Sequence, residues 1–115
     1  MYQFSYDEIL DDAPSTARAR ERQALDHAVE LLKAAEAAGP SSRETVEALS
    51  FLRRLWTVFI DDLASARNEL PDALKADLIS IGLFVLGEAE RIRSGKSSDI
   101  HGLIEISHSI SEGLA

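Results

Sequence analysis

The stretch LISIGLFVLG, residues 78–87, decides how the rest of the chain folds, because it is the longest near-continuous apolar run in the sequence. A membrane-spanning helix needs about 20 apolar residues, so this run is too short to cross a bilayer. The residues from Pro71 to Ser94 include helix formers and no turn signal before Gly95, which favours a helix over a buried strand. A helix that is apolar on nearly every side is buried. We therefore expect the rest of the chain to supply most of its cover.

Two of the covering helices precede this stretch. The first ends at Gly39-Pro40, because glycine stops a helix and proline does not continue it. The second begins at Ser41-Ser42-Arg43-Glu44, which has the spacing of a capping box with Ser41 as the cap and Glu44 reaching back. Apolar residues occupy well over half of the circumference of the second helix. The inward stripe of the first helix consists of Leu25, Ala28, Val29, Leu32 and Ala35.

A fourth helix follows the central stretch, and an arm precedes the bundle. Ser97 or Ser98 can cap this last helix, whose apolar residues share one face. The arm carries three aromatic residues, which either pack on the bundle or dock on a partner or a second subunit. These residues are Tyr2, Phe4 and Tyr6.

We therefore predict an all-α fold, a compact bundle of four principal helices with an N-terminal arm. The predicted single domain spans residues 1–115, with the arm at 1–14 and the helices at about 16–38, 42–66, 71–94 and 98–112.

The composition indicates a cytoplasmic protein. The chain has no cysteine, which excludes a disulfide framework and a thiolate metal site. The first residues have neither the basic start nor the apolar core of a signal peptide. The net charge of −8 opposes binding to nucleic acid and to anionic lipid, because both are polyanions. We expect no membrane partner.

No motif in the chain predicts catalysis. Ser94-Gly95-Lys96-Ser97 has the end of a phosphate-binding loop, but Glu90 stands where that loop needs its first glycine, so we interpret the segment as a helix stop. A polar stripe on the last helix places its two histidines about 10 Å apart along the axis, too far to share one ion. We predict no enzyme, no cofactor and no metal site, and a metal-dependent hydrolase is the least favoured function. The stripe consists of His101, Glu105, His108 and Glu112.

The second and third helices together carry more apolar surface than two flanking helices and an arm need to cover. An exposed remainder would form a groove for an amphipathic helix of a partner. Alternatively, the bundle or a homodimer buries all of this surface, and the periodicity does not separate the two cases.

Several segments of the chain also share a pattern that is specific to one family. The most specific are Arg53-Arg54-Leu55-Trp56 and Leu78-Ile79-Ser80-Ile81-Gly82. With them the chain resembles, over nearly its whole length, the FlaF family of flagellar biosynthesis regulators of alphaproteobacteria. Further similar segments are Ala17–Arg22, Phe59–Leu63, Asn68–Pro71 and Leu103–Ile106.

The resemblance implies a regulator of flagellum biogenesis that is required for flagellin synthesis and opposes the regulator FlbT. It also implies binding of flagellin in the manner of a cytoplasmic chaperone. Flagellin has amphipathic helices at its termini, and a helix groove accepts such a ligand. Large aliphatic and aromatic side chains dominate interface energies, so we expect these to bind a terminal flagellin helix. The expected contact residues are Leu52, Arg53, Arg54, Trp56, Phe59 and Leu83.

The alternative function is an RNA-binding post-transcriptional regulator of flagellin mRNA. Exposed arginines would bind the phosphates, with an affinity that falls steeply with salt. The net charge of the chain opposes this function. The arginines concerned are Arg18, Arg20, Arg22, Arg53 and Arg54.

Overall fold

Four α-helices account for nearly all of the described chain. The computed structural model describes residues 14–114 and their side chains from residue 18, so the predicted arm lies almost entirely outside the described residues. The helices are α1 (Pro14–Ala38), α2 (Arg43–Ala64), α3 (Asp72–Arg93) and α4 (Ile100–Gly113). Within the described residues no strand is present. The predicted all-α bundle of four principal helices is therefore confirmed.

The connection between α1 and α2 is tight because several hydrogen bonds converge on it. Gly39 ends α1 with a φ of +104°, a left-handed conformation that side chains other than glycine rarely adopt. The hydroxyl of Thr45 donates to the carbonyl of Gly39 at 2.7 Å, and the Thr45 N–H donates to the hydroxyl of Ser42 at 3.1 Å. The cap of α2 is thus Ser42, and the prediction of Ser41 with Glu44 was wrong by one residue. The hydroxyl of Thr45 also joins this cap to the end of α1 through its bond to Gly39.

The core forms where α1 packs against both α2 and α4. Every residue of the predicted inward stripe of α1 is buried, which confirms that stripe. Helix α2 packs on its other side against α3, whereas α3 makes few contacts with α4. The helices therefore follow one another in space as α4, α1, α2 and α3, with one weakly closed side between α3 and α4. The largest fully buried side chains are Trp56, Leu25, Leu32, Leu52, Leu63, Leu103 and Val85.

The contact between α2 and α3 is closest at Gly82. A methyl group on Gly82 would stand 2.5 Å from the Cε3 atom of Trp56, which is closer than real Cβ atoms approach a carbon. Gly82 thus allows the indole ring to lie directly against the α3 backbone. Gly87 is not the site of such a contact, because nothing lies within 4 Å of the position its Cβ would take.

The described bundle covers the central helix α3 on one face and leaves part of its apolar surface exposed, which is one of the two cases that the periodicity left open. Leu78, Val85 and Ala89 are buried, but Leu83 and Phe84 are 60% and 57% exposed. The reason is the order of packing: α3 has one close neighbour, α2, and a loose one, α4. Part of its apolar surface, at Leu83 and Phe84, therefore faces outward.

The turn between α3 and α4 is a helix stop followed by a new cap. Gly95 has a φ of +80°, and the N–H of Lys96 donates to the carbonyl of Arg91 at 2.8 Å. This pattern is the Schellman motif, so the interpretation of the segment as a helix stop is correct. Asp99 caps α4 by accepting from the N–H of Gly102 at 3.0 Å, and the predicted serine caps were wrong.

Ser97 does not cap α4 because its hydroxyl is committed elsewhere. It donates to the carboxylate of Glu88 at 2.6 Å. Glu88 is 9% exposed and also accepts from the guanidinium of Arg91 at 3.2 Å. The two donors satisfy a carboxylate that would otherwise be buried without partners.

Candidate partner-binding surface

An apolar groove runs along the weakly closed side of the bundle, between α3 and α4. Its volume is about 480 Å³. The carboxylate of Glu105 and the hydroxyls of Ser80 and Ser109 stand among the apolar lining residues. We call this surface the α3/α4 groove. Its apolar lining consists of Ile81, Phe84, Ile106 and Ile110.

The groove exists because α3 has more apolar surface than its neighbours α2 and α4 cover. Phe84 is 57% exposed although it belongs to the most apolar stretch of the chain. Ile106 and Ile110 of α4 are only partly buried. An amphipathic helix laid between α3 and α4 would therefore cover apolar side chains that the described bundle leaves in water.

The structure divides the six predicted contact residues into two groups. Leu52 and Trp56 are 0% exposed and Phe59 is 4% exposed, so these three belong to the core. Leu83 is exposed on α3, one position before the groove residue Phe84. The assignment of all six residues to a partner site stays a prediction. The two remaining members, Arg53 and Arg54, are exposed on α2.

Sequence reasoning did not single out Phe84, which lines the α3/α4 groove. The periodicity of the α3 sequence does indicate apolar residues on more sides of the helix than one neighbour can cover. It does not indicate which side stays exposed, because that depends on how α4 crosses α3.

A second groove lies between α1 and α2 and shares no lining residue with the first. Its volume is about 490 Å³, and its floor contains Phe51, Leu55 and Phe59. Val58, which is 69% exposed, stands at its edge. The guanidinium carbon of Arg54 lies 5.9 Å from the centre of the Phe51 ring, at a distance where a cation is attracted to the ring face.

Glu21 lines this second groove, and its carboxyl has a raised pKa. Partial burial raises the pKa of its carboxyl to about 7, and the negative charge of Asp62 acts in the same direction. The positive charges of Arg18 and Arg20 oppose the rise. The folded state therefore binds a proton on Glu21 that the unfolded state has released between about pH 4.5 and 7.

Stability should consequently fall as the pH rises through that window, and Glu21→Gln should remove the fall. The variant should exceed the parent at pH 8 by about 1 kcal/mol, a figure reduced for the solvent that screens a half-exposed carboxylate. At pH 4 the two proteins should be equally stable. Urea unfolding at both pH values measures this. Glu30→Gln, exposed on the same helix, is the matched control, and an equal gain in both variants would contradict the assignment.

The sequence also singled out the arginines at the start of α1 and the polar stripe on α4. Arg18, Arg20 and Arg22 are exposed, and the RNA-binding alternative that uses them stays a prediction. On α4, His101 contacts Glu36 of α1 at 3.1 Å and Glu105 at 3.5 Å. Within residues 14–114, no three His, Asp or Glu side chains group closely enough to hold a metal ion.

Comparison with known protein families assigns the chain to one of them. The family model described as "Flagellar protein FlaF" matches residues 2–114. The chain belongs to the FlaF family. The suspected resemblance is thereby confirmed, and FlaF is a family of flagellar proteins rather than a known family of enzymes. No curated protein and no solved structure matches the chain. Among the described helices, none is both long enough and apolar enough to span a membrane.

Proposed function

We propose that this FlaF-family protein regulates flagellum biogenesis, is required for flagellin synthesis, and acts by binding flagellin as a cytoplasmic chaperone. The observation that carries the proposal is the α3/α4 groove, whose lining residue Phe84 is more than half exposed, as is Leu83 next to it in the sequence. A large apolar surface left open beside a bundle is typical of a binding site for an amphipathic helix.

The occupant that we propose is a terminal helix of flagellin with basic residues beside its apolar stripe. Glu105 lines the groove, and the chain as a whole carries a charge of −8. This charge favours the approach of a basic helix and disfavours an acidic one. We also propose a functional link between this protein and FlbT. A homodimer of the chain is compatible with this function.

Binding of purified flagellin to the full chain tests the proposal. Calorimetry should give a dissociation constant in the micromolar range or below. The double variant Leu83→Asp, Phe84→Asp should weaken binding by about 30-fold or more, because truncating interface anchors costs about 2 kcal/mol or more. Flagellin lacking one or the other terminal helix identifies the end that binds.

Val58→Asp is the matched control, because Val58 is as exposed as Leu83 but lies at the second groove. It should leave flagellin affinity unchanged. No binding at micromolar concentration, or an equal loss in the control, contradicts the proposal. A specific shift of flagellin leader RNA at low salt, with no binding of flagellin, would favour the RNA-binding alternative instead.

A further inference from the structure

A third cavity, separate from both grooves, concentrates positive charge on an acidic protein. It has a volume of about 690 Å³ and lies between the start of α2, the end of α3 and the turn that follows α3. Arg53, Arg93 and Lys96 line it, and none of the described residues that line it is Asp or Glu. We call it the basic pocket. In a chain of net charge −8, three cations with no acid in the same lining form a local reversal of sign.

Two of these three cations form no ion pair within the part of the chain that the structure describes. Arg93 forms an ion pair with Glu90, which does not itself line the pocket. Arg53 and Lys96 form no ion pair with a carboxylate of the described residues. The charges of Arg53 and Lys96 nevertheless both act on the same carboxylate, that of Glu90. The Arg93 hydrogen bond is the main cause of a lowered pKa of Glu90, and the charges of Arg53 and Lys96 lower it further.

The remaining wall of the basic pocket is apolar. Val46, which is 66% exposed, stands there beside Leu49 and Ile92. An exposed valine next to Arg53 and Lys96 suits a ligand that is anionic at one end and apolar along its body. An arginine fork can bind both oxygens of one carboxylate, and a lysine adds a point charge without demanding a fixed angle.

We propose that the basic pocket binds a carboxylate on an apolar stem, as at the end of a peptide whose last residue is aliphatic. Two cations that form no ion pair among the described residues match one carboxylate. A longer polyanion such as RNA would meet the negative field of the surrounding protein. The proposal does not rest on the flagellin site, because the basic pocket and the α3/α4 groove have no lining residue in common.

The test is a titration of the full chain, labelled with ¹⁵N, with the peptide acetyl-Ala-Leu-Leu as its free acid. Saturable shifts should appear at residues that line the basic pocket. The same peptide with an amidated terminus should bind about 10-fold more weakly or not at all, because charge-assisted hydrogen bonds are lost. Arg53→Ala and Lys96→Ala should each weaken the free acid by about 10-fold.

Arg43→Ala is the control, because Arg43 is exposed on the same helix, is paired with Glu47 and does not line the pocket. It should bind the peptide as the parent does. Hexanoate provides the same chemistry as a small molecule: equal affinity assigns the pocket to a small acid, and weaker affinity assigns it to a chain terminus.

Three results would overturn the proposal. They are equal binding of acid and amide, unchanged affinity in Arg53→Ala and Lys96→Ala, and the absence of saturation at millimolar peptide. Tighter binding of inorganic phosphate than of either carboxylate would also overturn it. The flagellin titration with the Leu83→Asp, Phe84→Asp variant is independent of all four outcomes.

Discussion

Replacing Trp56 with alanine should lower the free energy of unfolding by about 3–5 kcal/mol. Trp56 is 0% exposed and is the largest of the fully buried side chains. Its ring lies 5.2 Å from that of Phe59, centre to centre, and directly against Gly82 on α3. Alanine would leave a cavity at the point where α2 holds α3. Urea unfolding followed by circular dichroism measures the loss.

Trp56→Phe separates packing from hydrogen bonding at this position. The indole N–H of Trp56 is buried without a hydrogen-bond partner among the described residues. Phenylalanine keeps most of the ring and removes this unsatisfied donor, whose burial is unfavourable. The phenylalanine variant should therefore lose less than about half as much stability as the alanine variant. Equal losses in the two variants would show that ring volume is not what Trp56 contributes.

Replacing Gly82 with alanine should lower the free energy of unfolding by about 1–3 kcal/mol, the usual cost of overpacking a core. The added methyl would meet two ring carbons of Trp56, at 2.5 and 2.9 Å, and the Cδ1 atom of Ile60 at 3.0 Å. A buried ring cannot move aside without displacing the α2 side chains around it. The same urea titration measures this effect.

Gly87→Ala is the matched control on the same helix. Nothing lies within 4 Å of its Cβ position, and alanine is the better helix former, so stability should rise by up to about 1 kcal/mol. The effect of Gly82→Ala should also reverse in the Trp56→Ala background, since the clashing ring is then gone. A destabilisation by Gly82→Ala that persists in that background contradicts the steric explanation.

The helices could be predicted because their boundaries are encoded locally. Gly39 and Gly95 end their helices by adopting positive φ. A glycine in the sequence is enough to indicate such a helix end. The inward stripe of α1 follows from its own periodicity and is fully buried. Neither result depends on how the helices are arranged.

The exact caps could not be predicted because they depend on neighbours. The hydroxyl of Thr45 donates a hydrogen bond to the carbonyl of Gly39 near the start of α2. The hydroxyl of Ser97 donates to Glu88 and therefore does not cap α4. Each choice requires knowing which groups a neighbouring turn brings close. A hydroxyl or carboxylate one residue away fills the cap instead, as Ser42 and Asp99 do.

The open side of the bundle was likewise beyond sequence reasoning. Periodicity shows that α3 is apolar on most sides, but only the crossing of α3 and α4 leaves Leu83 and Phe84 in water. The basic pocket was missed for the same reason. Arg53 and Lys96 are 43 positions apart in the sequence, and the end of α3 brings them to one cavity.

The packing of α4 against α1 has a consequence for synthesis of the chain. Asp26 of α1 accepts a hydrogen bond from Ser111, and Glu36 of α1 contacts His101, so the first described helix is covered by the last. A ribosome releases α1 long before it releases α4. During that interval the α4-facing side of α1 meets water, and the bundle closes only after a contact spanning most of the chain has formed. Completion of this fold therefore waits until α4 has left the ribosome.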